Sequence, residues 1–153
     1  MQKIITVISE FQDKRRMNRD GVELVRQRIR ILSGTDKVMM SMYYIDGCSY
    51  SRIAALMGIN QSNVARRIRR ITSRLLTGQY IRCLQNKRYF GTTELQIAKD
   101  YYVCRRTMRQ IAQQRGSSFY EVRKAIARIE AILEAAEIGR QRTEDRQLTA
   151  EEG

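Results

Sequence analysis

The stretch that decides the fold is residues 49–76, SYSRIAALMGINQSNVARRIRRITSRLL. It predicts a short helix with Ser49 as its N-cap, ending at Gly58, where a tight turn needs a residue that accepts positive φ. Asn60 is a good cap for a second helix, because its side chain can accept a hydrogen bond from a first-turn N–H. Apolar residues recur on that helix at 3.6-residue spacing: Val64, Ile68, Ile71 and Leu75. Two helices joined by a glycine turn predict a helix-turn-helix.

The side of the second helix opposite the apolar stripe is polar. It carries amide and hydroxyl groups in its first turn and arginines farther along, which suits entry into the major groove of double-stranded DNA. The predicted DNA-binding residues are Gln61, Ser62, Asn63, Arg66, Arg67, Arg69, Arg70 and Arg74. We expect Gln61, Asn63 and Arg66 to reach base edges and the later arginines to reach phosphates on either side. The alternative is a surface helix whose arginines are only solvated.

A gapless internal repeat extends this unit. Shifted by 58 positions, residues 35–75 superpose on residues 93–133, with apolar, glycine and capping positions in register. The copies predict helices at about 35–45, 49–57 and 60–76, and at about 93–104, 107–115 and 118–138. The sequence therefore predicts an all-α protein with tandem helix-turn-helix units at 35–77 and 92–138.

The second copy departs from the first at its turn. Arg115 and Ser117 stand where the first copy has apolar residues, and Phe119 is expected to fill the gap. The face that corresponds to the DNA-binding side offers Tyr120, Lys124 and Arg128. Its role stays open between DNA reading and a protein contact such as dimerisation.

The rest of the chain is expected to flank these units. Residues 1–34 predict an N-terminal helical segment, with one helix at about 3–16 and a second that ends at Ser33-Gly34. Its arginines Arg26, Arg28 and Arg30 are expected on solvated faces, with contact to the DNA backbone as the alternative. Residues 78–91 are expected to form a linker, and the polar, aperiodic tail 139–153 is expected to be disordered.

The charge pattern favours a polyanionic partner. The chain carries 29 Lys and Arg against 16 Asp and Glu, a net charge of +13, and residues 35–91 hold 10 basic and 2 acidic residues. Such an excess points to nucleic acid or an anionic membrane surface, and no apolar run of about 18 residues predicts a membrane span. The chain has no histidine, its three cysteines match no zinc spacing, and no phosphate loop occurs. We expect no enzyme activity, metal or cofactor, and a cytoplasmic location.

Residues 32–76 resemble region four of bacterial RNA polymerase sigma factors. The resemblance rests on Tyr44-Ile45-Asp46-Gly47, Ser49-Tyr50 and Ile53-Ala54, followed by glycine and valine in the family's spacing. It implies recognition of promoter-type DNA by the helix that starts near Asn60, and it makes core RNA polymerase a candidate partner, also for the second copy. The expected function is sequence-specific binding of double-stranded DNA as a sigma-like regulator of transcription.

Two other interpretations stay open. One is a non-catalytic DNA-recruiting subunit for phage packaging or recombination, and the other is an RNA-binding or protein-binding adaptor. RNA binding would predict similar affinity for a structured single strand and a duplex, because A-form RNA hides its major groove. A homodimer also stays open.

Overall fold

The computed structural model describes residues 19–151. Within this range every regular element is helical, which confirms the all-α prediction. The chain divides into two compact units, Met1–Leu76 and Thr77–Gly153. The helix predicted at about 3–16 lies outside the described residues.

In its described part, from residue 19 onward, the first unit has four α-helices and a short 3-10 turn. They are α1 (Arg19–Arg28), the 3-10 turn Ile29–Ile31, α2 (Gly34–Tyr44), α3 (Tyr50–Met57) and α4 (Gln61–Thr77). The last three match the predicted helices within one residue at each end. The core buries Val25 and Ile29 from the N-terminal segment, Met39 and Met40 from α2, and the predicted stripe of α4. The described part of the N-terminal segment, from residue 19 onward, therefore belongs to the core of this unit.

Two arginines of α1 contact helix ends that lie far away in sequence. Arg26 donates from Nε to the Tyr44 carbonyl oxygen at 2.8 Å, at the end of α2. Arg28 donates from Nη1 to the carbonyl oxygens of Leu75, at 2.6 Å, and Leu76, at 3.3 Å, near the end of α4. The last carbonyls of a helix have no partner inside the helix, so these arginines satisfy them. The expectation of a solvated face holds for Arg26, which is exposed, but was wrong for Arg28, which is half-buried.

Tyrosines join α2 to its neighbours. The rings of Tyr43 and Tyr50 are stacked with centroids 4.9 Å apart, which ties α2 to α3. Tyr44 shares a hydrogen bond of 2.9 Å between its hydroxyl and Oγ1 of Thr72 on α4. Through these contacts α2 supports both helices of the turn motif.

The second unit begins with a helix that the sequence interpretation treated as a linker. Its elements are α5 (Gln79–Gln85), a 3-10 turn (Lys87–Tyr89), α6 (Thr92–Ala98), a π-helical turn (Lys99–Val103), α7 (Met108–Arg115) and α8 (Phe119–Glu151). Ile81, Cys83 and Phe90, all within residues 78–91, are buried. Cys83 and Phe90 belong to the apolar cluster that also contains Ile111, Val122 and Ile126. The segment is therefore an element of the unit's core.

The tail also differs from its prediction. Helix α8 continues to Glu151, and residues 139–150 are exposed all around. A helix that is polar on every side has no apolar periodicity, so its sequence looks like that of a loop. Ala, Glu, Gln and Arg are nevertheless good helix formers, and no proline interrupts them. Thr143 and Thr149 donate hydrogen bonds from their hydroxyls to carbonyls of the preceding turn. Among the helices of residues 19–151, none combines the length and the apolar character that crossing a bilayer requires.

The two predicted turn motifs have the same local structure. Gly58 and Gly116 both adopt left-handed backbone, with φ of 66° and 61°. The N-caps are Ser49 and Thr107, whose side chains accept a hydrogen bond from the backbone N–H three residues later. The 58-residue repeat itself stays a prediction.

Candidate nucleic-acid interface

The turn between α3 and α4 fixes the start of α4. After Gly58, the N–H of Ile59 donates to the Ala54 carbonyl oxygen at 3.1 Å, which closes the end of α3. Asn60 then caps α4, because its Oδ1 accepts from the Ser62 N–H at 2.8 Å. The predicted roles of Gly58 and Asn60 are confirmed. This turn determines which side chains stand at the first turn of α4.

One side of α4 is buried and the opposite side is exposed. The buried residues are Val64, Ala65, Ile68, Ile71 and Leu75. The exposed residues include Gln61, Ser62, Asn63, Arg66, Arg67 and Arg70. Ser62, Arg66 and Arg70 follow each other at four-residue intervals, so they form one row along the exposed side. Six of the eight predicted DNA-binding residues therefore lie on the solvent side of this helix.

Arg66 and Asn63 are joined by a hydrogen bond. Nη2 of Arg66 donates to Oδ1 of Asn63 at 2.6 Å, and both residues are exposed. The bond uses the acceptor oxygen of the amide and leaves its N–H donors. It also reduces the freedom of the arginine, which lowers the entropic cost of a further contact by the guanidinium.

Arg67 and Arg69 were predicted to reach phosphates, but neither is a fully exposed, unpaired cation in the structure. Arg67 donates from Nε to Oδ1 of Asp36 on α2 at 2.8 Å, and its Nη2 lies 2.7 Å from the same oxygen. Its charge is therefore already balanced within the protein. Arg69 is half-buried, as is Arg74, while Arg70 is exposed. The structure thus singles out Arg66 and Arg70 as the exposed arginines of the row.

Two basic residues near this surface were missed by the sequence interpretation. Arg52 is exposed in the first turn of α3, and Lys37 is exposed on α2. In helix-turn-helix proteins the first helix of the motif crosses the DNA backbone, so a cation there is placed to meet a phosphate. That rule, applied to α3, would have identified Arg52 from the sequence.

The corresponding face of the second unit is only partly as predicted. Tyr120 is 70% exposed and Lys124 is exposed, whereas Arg128 pairs with Glu94. Phe119 does not fill the turn, because 46% of it is exposed and the Arg109 guanidinium lies 6.0 Å from its ring centroid.

Arg115 replaces an apolar contact at this turn by an ionic one. Its Nη2 donates to Oδ2 of Asp100 at 2.6 Å, and Nη1 of Arg106 donates to the other oxygen of the same carboxylate at 2.7 Å. Asp100 is the more buried partner in both pairs. A carboxylate shared by two arginines therefore closes the corner for which Phe119 was expected.

The groups with shifted pKa lie in the core of the second unit. Burial raises the pKa of the Cys83 thiol to about 11. Burial also raises the pKa of the hydroxyls of Tyr80 and Tyr102. These groups are therefore held in their neutral forms at pH 7, as suits a packed interior. Within residues 19–151 no group of His, Cys, Asp or Glu is arranged to hold a metal ion.

The fold and the exposed basic side of α4 define a helix-turn-helix protein. Residues 23–75 match the family model described as sigma-70, region 4. The match begins within α1 and ends two residues before the end of α4, so it includes all of α2 and α3. Comparison with curated proteins and with solved structures gave no match. The first unit is a helix-turn-helix of the sigma region-four-like family, a DNA-binding module of transcription.

Proposed function

We propose that this protein is a sequence-specific regulator of transcription that binds double-stranded DNA with the N-terminal part of α4 in the major groove. The row formed by Ser62, Arg66 and Arg70 carries the proposal. It stands on a helix whose opposite side is buried along its length. A helix held in this way can enter a groove without changing its own packing.

The row separates two kinds of contact. Arg66 is the sixth residue of α4 and lies beside the amide of Asn63, where base edges are within reach. Arginine donates in pairs to O6 and N7 of guanine, the commonest specific contact in the major groove. Arg70 lies one turn farther along, at about 6 Å of helical rise, where the phosphate backbone leaves the groove. Arg66 therefore reads sequence and Arg70 holds the duplex.

A non-catalytic role is part of the proposal. Three carboxylates beside the basic helices are engaged by arginines: Asp36 by Arg67, Asp100 by Arg106 and Arg115, and Glu94 by Arg128. A general base must reach the proton that it abstracts, and oxygens already occupied by arginine hydrogen bonds are poorly placed for that contact. The chain also has no histidine.

Core RNA polymerase is the proposed protein partner of the first unit. The support is the family match over residues 23–75. The purified chain should bind purified core polymerase in a size-exclusion or light-scattering titration. A chain that binds DNA but leaves core polymerase unbound would be a DNA-binding regulator without the sigma-like role.

The DNA-binding role is tested by selecting bound sequences from random duplexes and then comparing two variants. Arg66→Ala should weaken binding to the selected site about 5- to 150-fold, since a bidentate base contact contributes about 1–3 kcal/mol, and should relax preference at one or two base pairs. Arg70→Ala should weaken selected and scrambled duplexes alike, and should make the slope of log K against log salt shallower by about one.

Arg30→Ala is the matched control, because Arg30 is an exposed arginine of the same unit outside α4. It should change neither the sequence preference nor the slope by as much as the two α4 variants. Selection that yields no preferred sequence, or variants that both behave like the control, would contradict the proposed use of α4.

A further inference from the structure

We propose that the second unit binds a second tract of the same duplex, through a surface formed by Arg105, Arg109, Arg123 and Lys124. We call this set the second basic surface. The proposed function concerns α4 alone, and the sequence of this face is compatible with either DNA or a protein partner. Charge, register and side-chain chemistry favour DNA.

The net charge of the second unit does not show which of its cations are free of ion pairs. Residues 92–138 hold 8 basic and 6 acidic residues, close to balance. Three of the basic residues are engaged in ion pairs, Arg106 and Arg115 with Asp100 and Arg128 with Glu94. The second basic surface is exposed, and none of its four cations forms an ion pair with another residue of the described range.

Glu121 lies in the first turn of α8 beside this surface, and its single negative charge stands against the four positive charges of the set. Glu121 is used at the helix start, where its carboxylate accepts from the Ser118 N–H at 2.8 Å. Glu137 lies about four turns farther along and pairs with Arg82 and Arg140. The unpaired positive charge therefore gathers at the end of α8 that carries the turn.

The register of the turn places Lys124 where the first unit has Arg66. Each is exposed and is the sixth residue of its helix, α8 or α4. Each helix follows a left-handed glycine, Gly116 or Gly58. Arg109 is the second residue of α7, the helix that corresponds to the one that crosses the DNA backbone in such motifs. The same local geometry thus presents cations at both the groove and the backbone positions.

Arg105 occupies a position that suits glycine better. Its φ is 57°, and it is the one residue other than glycine with positive φ in residues 19–151. The residue 58 positions earlier is Gly47, with φ of 70°. Left-handed backbone is unfavourable for a residue with a Cβ, so an exposed arginine here is costly to the fold. A phosphate contact next to the start of α7 accounts for a charged side chain at this place.

The exposed aromatic residues at the start of α8 also fit a nucleic acid. Phe119 and Tyr120 are 46% and 70% exposed, and Arg109 stacks over the Phe119 ring. The core of a protein–protein interface is depleted of charge, whereas Arg109 lies beside Phe119, and Arg123 and Lys124 follow the two rings one turn along α8. In a major groove an aromatic ring can contact the thymine methyl group while the flanking cations meet phosphates.

Hydroxyl-radical footprinting of the full chain on a selected duplex tests this assignment. The wild type should protect two separate tracts. The variant Arg105→Gly with Lys124→Gln should keep one tract and lose the other, and its slope of log K against log salt should be shallower by about two. Between 50 and 200 mM salt, two lost contacts change the salt-induced loss of affinity by about tenfold. The control Arg142→Gln with Arg146→Gln removes the same charge from the exposed far end of α8 and should keep both tracts.

Other outcomes separate the two units. In one outcome, the wild type protects a single tract, and Arg66→Ala abolishes this protection. That result would overturn the second site and leave the proposed function of α4 intact. If Arg66→Ala loses the tract assigned to α4 and keeps the tract assigned to the second basic surface, the result would support both the proposed function of α4 and the second site. If the Arg105→Gly, Lys124→Gln variant kept the wild-type footprint but sedimented at a different mass, the surface would be a protein interface and the second site would be overturned.

Discussion

Arg28 links the N-terminal helix to the end of the proposed recognition helix, and replacing it tests whether α1 positions α4. Its Nη1 donates to the carbonyl oxygens of Leu75 and Leu76 at 2.6 and 3.3 Å, and it is half-buried. Arg28→Met keeps much of the apolar stem and removes both hydrogen bonds. The variant leaves two carbonyls at the end of α4 without this partner.

The cost follows from these contacts. A hydrogen bond from a charged donor contributes about 1.5–3 kcal/mol. A cation at a helix C-terminus adds about 0.3–1 kcal/mol through the helix dipole. Because the longer of the two bonds is weak, we expect a loss of about 2–3 kcal/mol in the free energy of unfolding of the first unit. For a unit of this size that corresponds to a fall in Tm of about 10–15 °C.

The assay is thermal and urea unfolding of the full chain, with Arg30→Met as the matched control because Arg30 is exposed two residues away. Arg28→Lys keeps the charge but has a shorter reach, so its Tm should lie between those of the wild type and Arg28→Met. Equal Tm values for Arg28→Met and Arg30→Met would refute the positioning role of Arg28.

Two further perturbations test the turn and the ion pair beside it. Gly58→Val should lower the stability of the first unit by about 1–2 kcal/mol, since φ of Gly58 is +66°. Gly58→Asn should lower it less, because asparagine tolerates left-handed backbone. Equal urea midpoints for the two variants would show that the backbone at Gly58 is not the source of the strain. Asp36→Asn should change stability by only about 0–1 kcal/mol, because the ion pair with Arg67 is partly exposed. It should also tighten duplex binding and make the slope of log K against log salt steeper by about one, because Arg67 is released from the pair. Unchanged binding in isothermal titration would show that Arg67 does not face the DNA.

The turn motif could be predicted because its signals are local. Ser49, Gly58 and Asn60 act on backbone groups within a few residues, so the sequence contains both partners of each interaction. The apolar stripe of α4 is likewise a property of one helix. For this reason the predicted and observed helices of the first unit agree closely.

The pairings of arginines could not be predicted in the same way. Arg67 and Asp36 are 31 residues apart, and Arg28 and Leu75 are 47 apart. Such contacts depend on how α1 and α2 pack against α4, which no periodicity reveals. From the sequence alone, Arg67 is therefore expected to be available for DNA and Arg28 to be solvated.

The errors in the second unit have a related cause. The segment around Cys83 is short and polar enough to resemble a linker, and its burial becomes visible only in the fold. The polar residues Arg115 and Ser117 at the turn predict that Phe119 fills the corner, but Arg115 and Asp100 already close it with an ion pair. The summed charge also concealed that several arginines are paired while others are exposed.

Methylation interference with dimethyl sulfate tests the central claim most directly, that α4 reads duplex DNA in the major groove. The reagent modifies guanine N7 in the major groove and adenine N3 in the minor groove. On the selected site, modification of N7 at one or two guanines should block binding of the wild type, and Arg66→Ala should lose this sensitivity. Interference confined to adenine N3, or none at either position, would contradict the account.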